Sequence, residues 1–218
     1  MDDRALSRFA IIAVGGFGEA VAKDFLARNS GAVQIAATDL ALGSLPLNVQ
    51  ALALAAGNPS IAVADTLDNI ARTLRVSLLA LTADAHGVVI AHYNWEEPGA
   101  CPVCHAYRTL ANSHAPEGEA LLRQYFAEHP DDCPAGFLQP FVLMGSEWLT
   151  QGCIQSAYGV NRGMTRRCSF EAAEINEEAI LPVNHCPRCS APEPHPDRMR
   201  QELAYLWQSS PDVERESH

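Results

Sequence analysis

Positive charge is scarce in this chain. Its 218 residues carry 15 lysines and arginines against 26 aspartates and glutamates, a formal net charge of −11 and a pI of about 5.1. No large basic face is available to neutralise phosphates, which excludes nucleic acid as an expected partner. The acidic field suits a neutral or cationic partner instead, such as a basic peptide or the positive surface of another protein. Long apolar runs are also missing. None reaches the length of a membrane span, and the start, Met1-Asp2-Asp3-Arg4, is acidic where a signal peptide is basic, so a cytoplasmic protein without membrane attachment is expected. There is no internal repeat beyond one short motif, and seven cysteines leave an odd thiol, against a secreted disulfide framework. With 48% hydrophobic and 19% charged residues, the composition is that of a globular chain with one main domain, disordered only at its ends.

The motif that does repeat is a pair of cysteine hooks, Cys101-Pro102-Val103-Cys104 and Cys186-Pro187-Arg188-Cys189. A two-residue gap lets one tight turn aim both sulfurs at the same ion, and two such turns complete the four-thiolate shell of a structural zinc. The proline after the first cysteine presets φ for the turn and leaves neighbouring amide N–H groups free to face the sulfurs. A disulfide within each hook, strained at this spacing, and four unconnected thiols are the other readings. His105 and His185 flank the hooks as substitute ligands. Cys133, Cys153 and Cys168 remain as reduced, partly buried residues; Arg166-Arg167 beside Cys168 is the one basic pattern near a thiol, and that cysteine falls in an expected strand. No catalytic residue is assigned.

Read in order, Phe9 to Val14 is a continuous apolar run typical of a strand buried on both faces of a parallel sheet. It leads into Gly15-Gly16-Phe17-Gly18, a helix over Glu19 to Asn29, and a second strand from Ala32 to Thr38 closed by Asp39, a βαβ unit with a glycine turn and a following acid. Such glycines admit a phosphate to backbone N–H groups and a helix N-terminus, or they only permit helix and strand to pack closely. A helix is expected over Pro46 to Ala56, a strand over Ser60 to Ala64, a helix over Asp65 to Leu74 capped by Asp65 or Thr66, and a strand over Val76 to Thr82; the alternation predicts a doubly wound α/β sheet. Beyond it, Val88 to Ala91 is a strand or short helix. Leu110 to Gly118 and His129 to Gly136 are polar, mobile segments around a helix at about Glu119 to Glu128, and Phe141 to Tyr158 is a long helix in which Gly145 and Gly152 either admit a neighbour or weaken it. Thr165 to Ile175 and Ala179 to Val183 form a hairpin running into the second hook. Three prolines at 192, 194 and 196 then make a stiff connector to an amphipathic helix, Asp197 to Trp207, whose Leu203, Leu206 and Trp207 form a stripe that something must cover: its own domain, a second copy or a partner. The organisation is residues 1–92 as a Rossmann-like half, 93–190 as a zinc-bearing half of the same domain, and 191–218 as connector, helix and tail.

The order of these parts resembles the ThiF-like superfamily, the ubiquitin-activating-enzyme-like adenylating fold, and within it the ThiF-like partner proteins of thiazole/oxazole-modified peptide biosynthesis. Two stretches carry the likeness: Pro98-Gly99-Ala100-Cys101-Pro102-Val103-Cys104, and Cys168-Ser169-Phe170-Glu171 through Ile180-Leu181-Pro182-Val183-Asn184-His185-Cys186-Pro187-Arg188-Cys189. The resemblance implies a Rossmann-like doubly wound sheet with a structural zinc, nucleotide-facing positions at Gly15, Gly16, Gly18, Asp39 and Asp84, and zinc ligands Cys101, Cys104, Cys186 and Cys189. Departures bear on activity. Active members follow the acid after the second strand with a run whose arginine binds ATP phosphates; here Pro46-Leu47-Asn48-Val49-Gln50 places Val49 at that point, and an apolar side chain cannot neutralise a triphosphate. Asp84 resembles the family's metal-binding aspartate without the arginine expected after it, and a helix cap after a strand is its simpler reading. Relatives often begin with a winged-helix peptide-binding segment, whereas the first strand here starts at about Phe9.

The implied function is a zinc-binding scaffold in an azoline-forming cyclodehydratase complex, holding a precursor peptide and a YcaO-type enzyme, as a homodimer or otherwise, without adenylation of its own. The alternative is an enzyme that uses ATP and Mg2+ to adenylate a peptide or sulfur-carrier carboxylate. A dinucleotide-binding oxidoreductase is a third reading and leaves the paired hooks unexplained.

Overall fold

The computed structural model describes residues 9–188 except 47, 60, 85–86, 94–99, 130–131, 135, 159–162, 171, 173, 184–185 and 187. A seven-stranded sheet runs through these residues in the order β2-β1-β3-β4-β5-β6-β7. β1 (Phe9–Val14), β2 (Val33–Ile35), β3 (Ala51–Ala56) and β4 (Ser77–Ala83) are parallel; β5 (Gly87–Tyr93), β6 (Met164–Ser169) and β7 (Ile175–Ala179) continue it antiparallel. The helices are α1 (Gly15–Arg28), α2 (Ile61–Leu74), α3 (Pro102–Ala111), α4 (Pro116–Glu128) and α5 (Gln139–Ala157). The doubly wound Rossmann-like reading therefore stands, with an antiparallel extension.

β1 and β3 are buried at every residue, and the sheet separates two cores. On one side Phe17, Val21 and Phe25 of α1 and Trp148 and Leu149 of α5 pack on Ile11, Ala53 and Leu79. On the other, Leu67, Ile70 and Ala71 of α2 pack on Ile12, Leu52 and Leu78, together with the first cysteines. Gly145 and Gly152 of α5 sit on the sheet rather than weakening the helix, because a Cβ there would overlap Leu81 and Leu79.

Several expectations are corrected. Ala51–Ala56 is the central strand β3 instead of the end of a helix; its alanines and leucines favour helix, but hydrogen bonding between β1 and β4 with all six residues buried overrides that preference. Ser60 to Ala64 is not a strand, since α2 already begins at Ile61, which leaves Asp65 and Thr66 inside the helix rather than at its cap. α1 begins at Gly15, four residues before the expected start, and the second strand is reduced to Val33–Ile35 followed by a 3-10 turn at Ala37–Asp39. The hairpin is shifted from its expected place: its first strand, Met164–Ser169, ends before Ile175, and its second is Ile175–Ala179 instead of Ala179 to Val183. The proline connector and the helix at Asp197 to Trp207 lie outside the described residues. Among the described residues, no helix is long and apolar enough to cross a membrane.

Candidate functional site

Chain direction brings the two hooks to one edge of the sheet. β5 runs antiparallel to β4, so it ends with Tyr93 opposite Leu78, near the start of β4. β7 ends in the same row, with Ala179 opposite Met164 and Met164 opposite His92. Both hooks leave the sheet from these two ends. Cys101 sits at the N-cap of α3 with Pro102 at its first position, where the missing N–H costs nothing and the fixed φ favours the turn.

Cys101, Cys104 and Cys186 meet there, buried, with their sulfurs within 4.8 Å of one another. Cys101 Sγ lies 3.7 Å from Cys104 Sγ and 3.5 Å from Cys186 Sγ, the latter across 85 positions of sequence. A disulfide would need about 2.05 Å, so Cys101 and Cys104 of the first hook form none. A Zn–S distance of about 2.3 Å places the sulfurs of a tetrahedral shell about 3.8 Å apart, which these spacings approach. The Cys104 backbone N–H donates to Cys101 Sγ at 3.4 Å and the Val183 N–H to Cys104 Sγ at 3.3 Å, as thiolates require. Burial, reinforced by the neighbouring thiols, pushes the Cys101 thiol up; a bound dication is the charge that keeps such thiols ionised. The donor set fits a structural zinc, with Cys189, the fourth sulfur of the pattern, outside the described residues. Zinc would join two segments distant in sequence at a dry, four-thiolate node and supply stability rather than chemistry.

His105 takes another role. Its Nδ1 is 2.7 Å from the Tyr93 hydroxyl, and burial lowers its pKa to about 4, with Arg123 and Arg167 adding to the shift, so a neutral ring packs under the hook. His185 is outside the described residues.

Two arginines that the sequence did not single out fasten the hooks. Arg108 of α3 donates to Leu181 O at 2.7 Å and Pro182 O at 2.8 Å, gripping the approach to the second hook. Arg188, inside that hook, pairs with Asp68 at 2.8 Å and Asp65 at 3.0 Å on α2, and Arg72 donates back to the Arg188 carbonyl. Asp68 is fully buried, and burial raises its pKa against the pull of Arg188 and Arg72. The i, i+4 spacing of Asp68 and Arg72 was a signal available in the sequence.

The opposite edge holds the carboxyl ends of β1, β2 and β4, and hence the glycine turn, Asp39 and Asp84. Gly15 has φ +71°, and a Cβ on it would collide with Cys133 Sγ. Gly18 lies against β3, where a Cβ would overlap the Ala55 carbonyl oxygen, so close helix–strand packing accounts for this glycine. A strap after α4 covers the turn: buried Asn58 donates to Asp132 O at 2.8 Å and to Cys133 Sγ at 3.1 Å, and Phe137 meets Phe17 edge-on at 6.0 Å between ring centres. The segment read as mobile is thus packed over the glycines. Asp39 is exposed beside an open hollow of about 490 Å3 lined also by Gln34, Ile35, Thr38 and Ser44. Val49 packs against the α2-side core. Asp84 caps no helix; its carboxylate accepts from the Gly87 N–H at 2.8 Å in the β4–β5 turn and lies 3.6 Å from Arg167. Of the other thiols, Cys153 is buried in α5, which pushes its pKa up, and Cys168 lies in β6.

No family model and no curated protein matches the sequence. Solved structures do. The heterocyclase TruD matches at 12% identity and a TM-score of 0.57, covering 86% of this chain and 28% of that one, so the chain spans little more than a quarter of its length. The E. coli microcin synthetase McbBCD complex matches at 13% and 0.55, covering 82% of this chain and 67% of its own. The microcin C7 biosynthetic enzyme MccB, solved in complex with N-formylated MccA, matches at 13% and 0.57, covering 86% and 69%. The seven-stranded sheet and its flanking helices thus share the fold of these heterocyclase and microcin-synthesis structures.

Proposed function

We propose that this chain is a zinc-stabilised scaffold of a peptide-modifying complex, and that it holds a precursor peptide or a partner enzyme without activating a carboxylate itself. One observation supports the absence of adenylation: the Cys133 side chain packs directly over Gly15, under a strap fastened by Asn58. Val49, packed in the core where active relatives place arginine, supports the same reading because it offers no positive charge. The association with peptide modification rests on the fold shared with a heterocyclase and two microcin-synthesis proteins, one of them solved with MccA. In this reading Cys101, Cys104, Cys186 and Cys189 hold zinc, the net charge of −11 favours a basic or neutral peptide, and a YcaO-type enzyme supplies the ATP chemistry. The cytoplasm is the compartment where such thiols stay reduced.

The competing reading, adenylation by this chain, draws on the arrangement of Gly15, Asp39 and Asp84 at one sheet edge. Two assays separate them. Pull-down of the tagged, zinc-loaded chain from its own extract should recover a YcaO-type enzyme, and pyrophosphate exchange with candidate peptides should stay at background. Robust exchange, lost in Asp84→Asn, would overturn the scaffold reading in favour of the enzyme; recovery of a small carrier with a Gly-Gly end would point the same way.

A further inference from the structure

Helix α4 is amphipathic in the wrong direction for a helix supported by its own domain. None of its residues is fully buried, and three of its large apolar side chains face outward: Leu121 is 68% exposed, Leu122 57% and Tyr125 45%. With Gly118, beside which a Cβ would meet open space, they fall at i, i+3, i+4 and i+7 and form one stripe with a notch at its head. The inner face carries half-buried Glu119, Arg123 and Phe126. Arg123 donates to Ala106 O at 2.9 Å on α3 and pairs with Glu119. A short helix that buries no residue fully gains little from the fold, so the stripe calls for a cover.

The chain carries a matching segment. Its path through the described residues stops at Arg188, which Asp65 and Asp68 hold on α2, and α2 packs directly against α4. Residues 189–196 span up to about 26 Å at roughly 3.3 Å each, enough to cross the width of two helices. Beyond them Leu203, Leu206 and Trp207 repeat the i, i+3, i+4 spacing. Opposite charges are available as well: Arg198 and Arg200 lie ahead of that stripe, between Asp197 and Glu202, and Glu117 opens α4.

We propose that residues 197–207 dock as a helix on the Gly118–Tyr125 stripe of α4 in the same chain, with Leu203, Leu206 and Trp207 covering Leu121, Leu122 and Tyr125. The interface reaches the strap, because the Tyr125 hydroxyl donates to Asp132 at 2.5 Å and the Asp132 carbonyl takes the bond from Asn58. The tail therefore bears on the same layer that covers Gly15. This inference is independent of the scaffold reading.

The test uses the full, zinc-loaded chain carrying Leu122→Cys and Leu206→Cys, treated with a short bismaleimide at low protein concentration and mapped by mass spectrometry. A cross-link between positions 122 and 206 within one chain is expected, absent from either single variant. Cross-links only between two chains would overturn the proposal in favour of a second copy. No cross-link in a double variant with its full zinc content and cooperative melt would also overturn it and leave the stripe to a separate partner. Trp207 gives a second readout: Leu121→Glu with Leu122→Glu should shift tryptophan emission to longer wavelength, and the shift should vanish in a Trp207→Phe background. An unchanged spectrum on zinc-replete protein contradicts the docking.

Discussion

At one edge of the sheet Cys101, Cys104 and Cys186 close into a buried cluster; at the other a glycine turn lies under a strap of its own chain. Both features are announced by short motifs, and they sit at opposite ends of the strands of one sheet, about 20 Å apart for strands of this length. Their interiors differ in kind. The cysteine edge gathers three sulfurs with N–H groups aimed at them and two arginine clamps around them, a group of donors that could hold a metal ion. At the glycine edge the turn itself is packed by the chain, with Gly18 on Ala55, Gly15 under Cys133 and Gly16 beside Phe137. A cysteine hook fixes what the site binds because the ligands are in the motif. A glycine turn fixes only how closely something approaches, and that something can be the chain itself.

Removing a ligand from the cysteine edge should have the largest effect. Cys186→Ser is expected to lose the proposed zinc and on the order of 5 kcal/mol of stability, read by metal analysis and thermal melting; Cys153→Ser, also buried but away from the cluster, should keep the metal. If Cys186→Ser retains zinc and melts as the parent does, the comparison loses one side.

The clamp comes next. Arg188→Ala leaves the buried Asp68 carboxylate with Arg72 alone and should cost about 2–4 kcal/mol, with the loss partly relieved in an Arg188→Ala, Asp68→Asn chain. The pH dependence has a defined sign. Burial raises the Asp68 pKa above its ordinary 3.8, so the folded chain holds that proton more tightly than the unfolded one. Its contribution is most favourable below 3.8 and is lost as pH rises through the raised value. Denaturant melts over that interval should show the slope, and Asp68→Asn should remove it.

Much of this was legible beforehand, and the failures have physical causes. The buried run Phe9–Val14, the glycine turn and the hooks were readable because each states its own geometry locally. Ala51–Ala56 was not, since Ala-Leu-Ala-Leu-Ala-Ala prefers helix and only the neighbouring strands make it β. Asn58, Cys133 and Phe137 were missed as a unit because the strap has no periodicity, and its meeting with Gly15 joins positions far apart in sequence. Arg188 was hidden in plain view as a spacer of the second hook.

On the glycine edge the effects are smaller. Gly18→Ala should cost about 2–3 kcal/mol, because helix α1 must move off the Ala55 carbonyl, and a neutral result would show that the helix and strand have slack there. Asp84→Asn should cost about 0.5 kcal/mol, since its ion pair with Arg167 is solvent-exposed and asparagine still accepts from Gly87.

The most direct test of the central claim is calorimetric titration of Mg2+-ATP into the zinc-loaded full chain. With the strap over Gly15 and Val49 in place of an arginine, no binding tighter than a Kd of about 1 mM is expected. Saturable binding at micromolar ATP would contradict the account and show that the strap opens to a nucleotide.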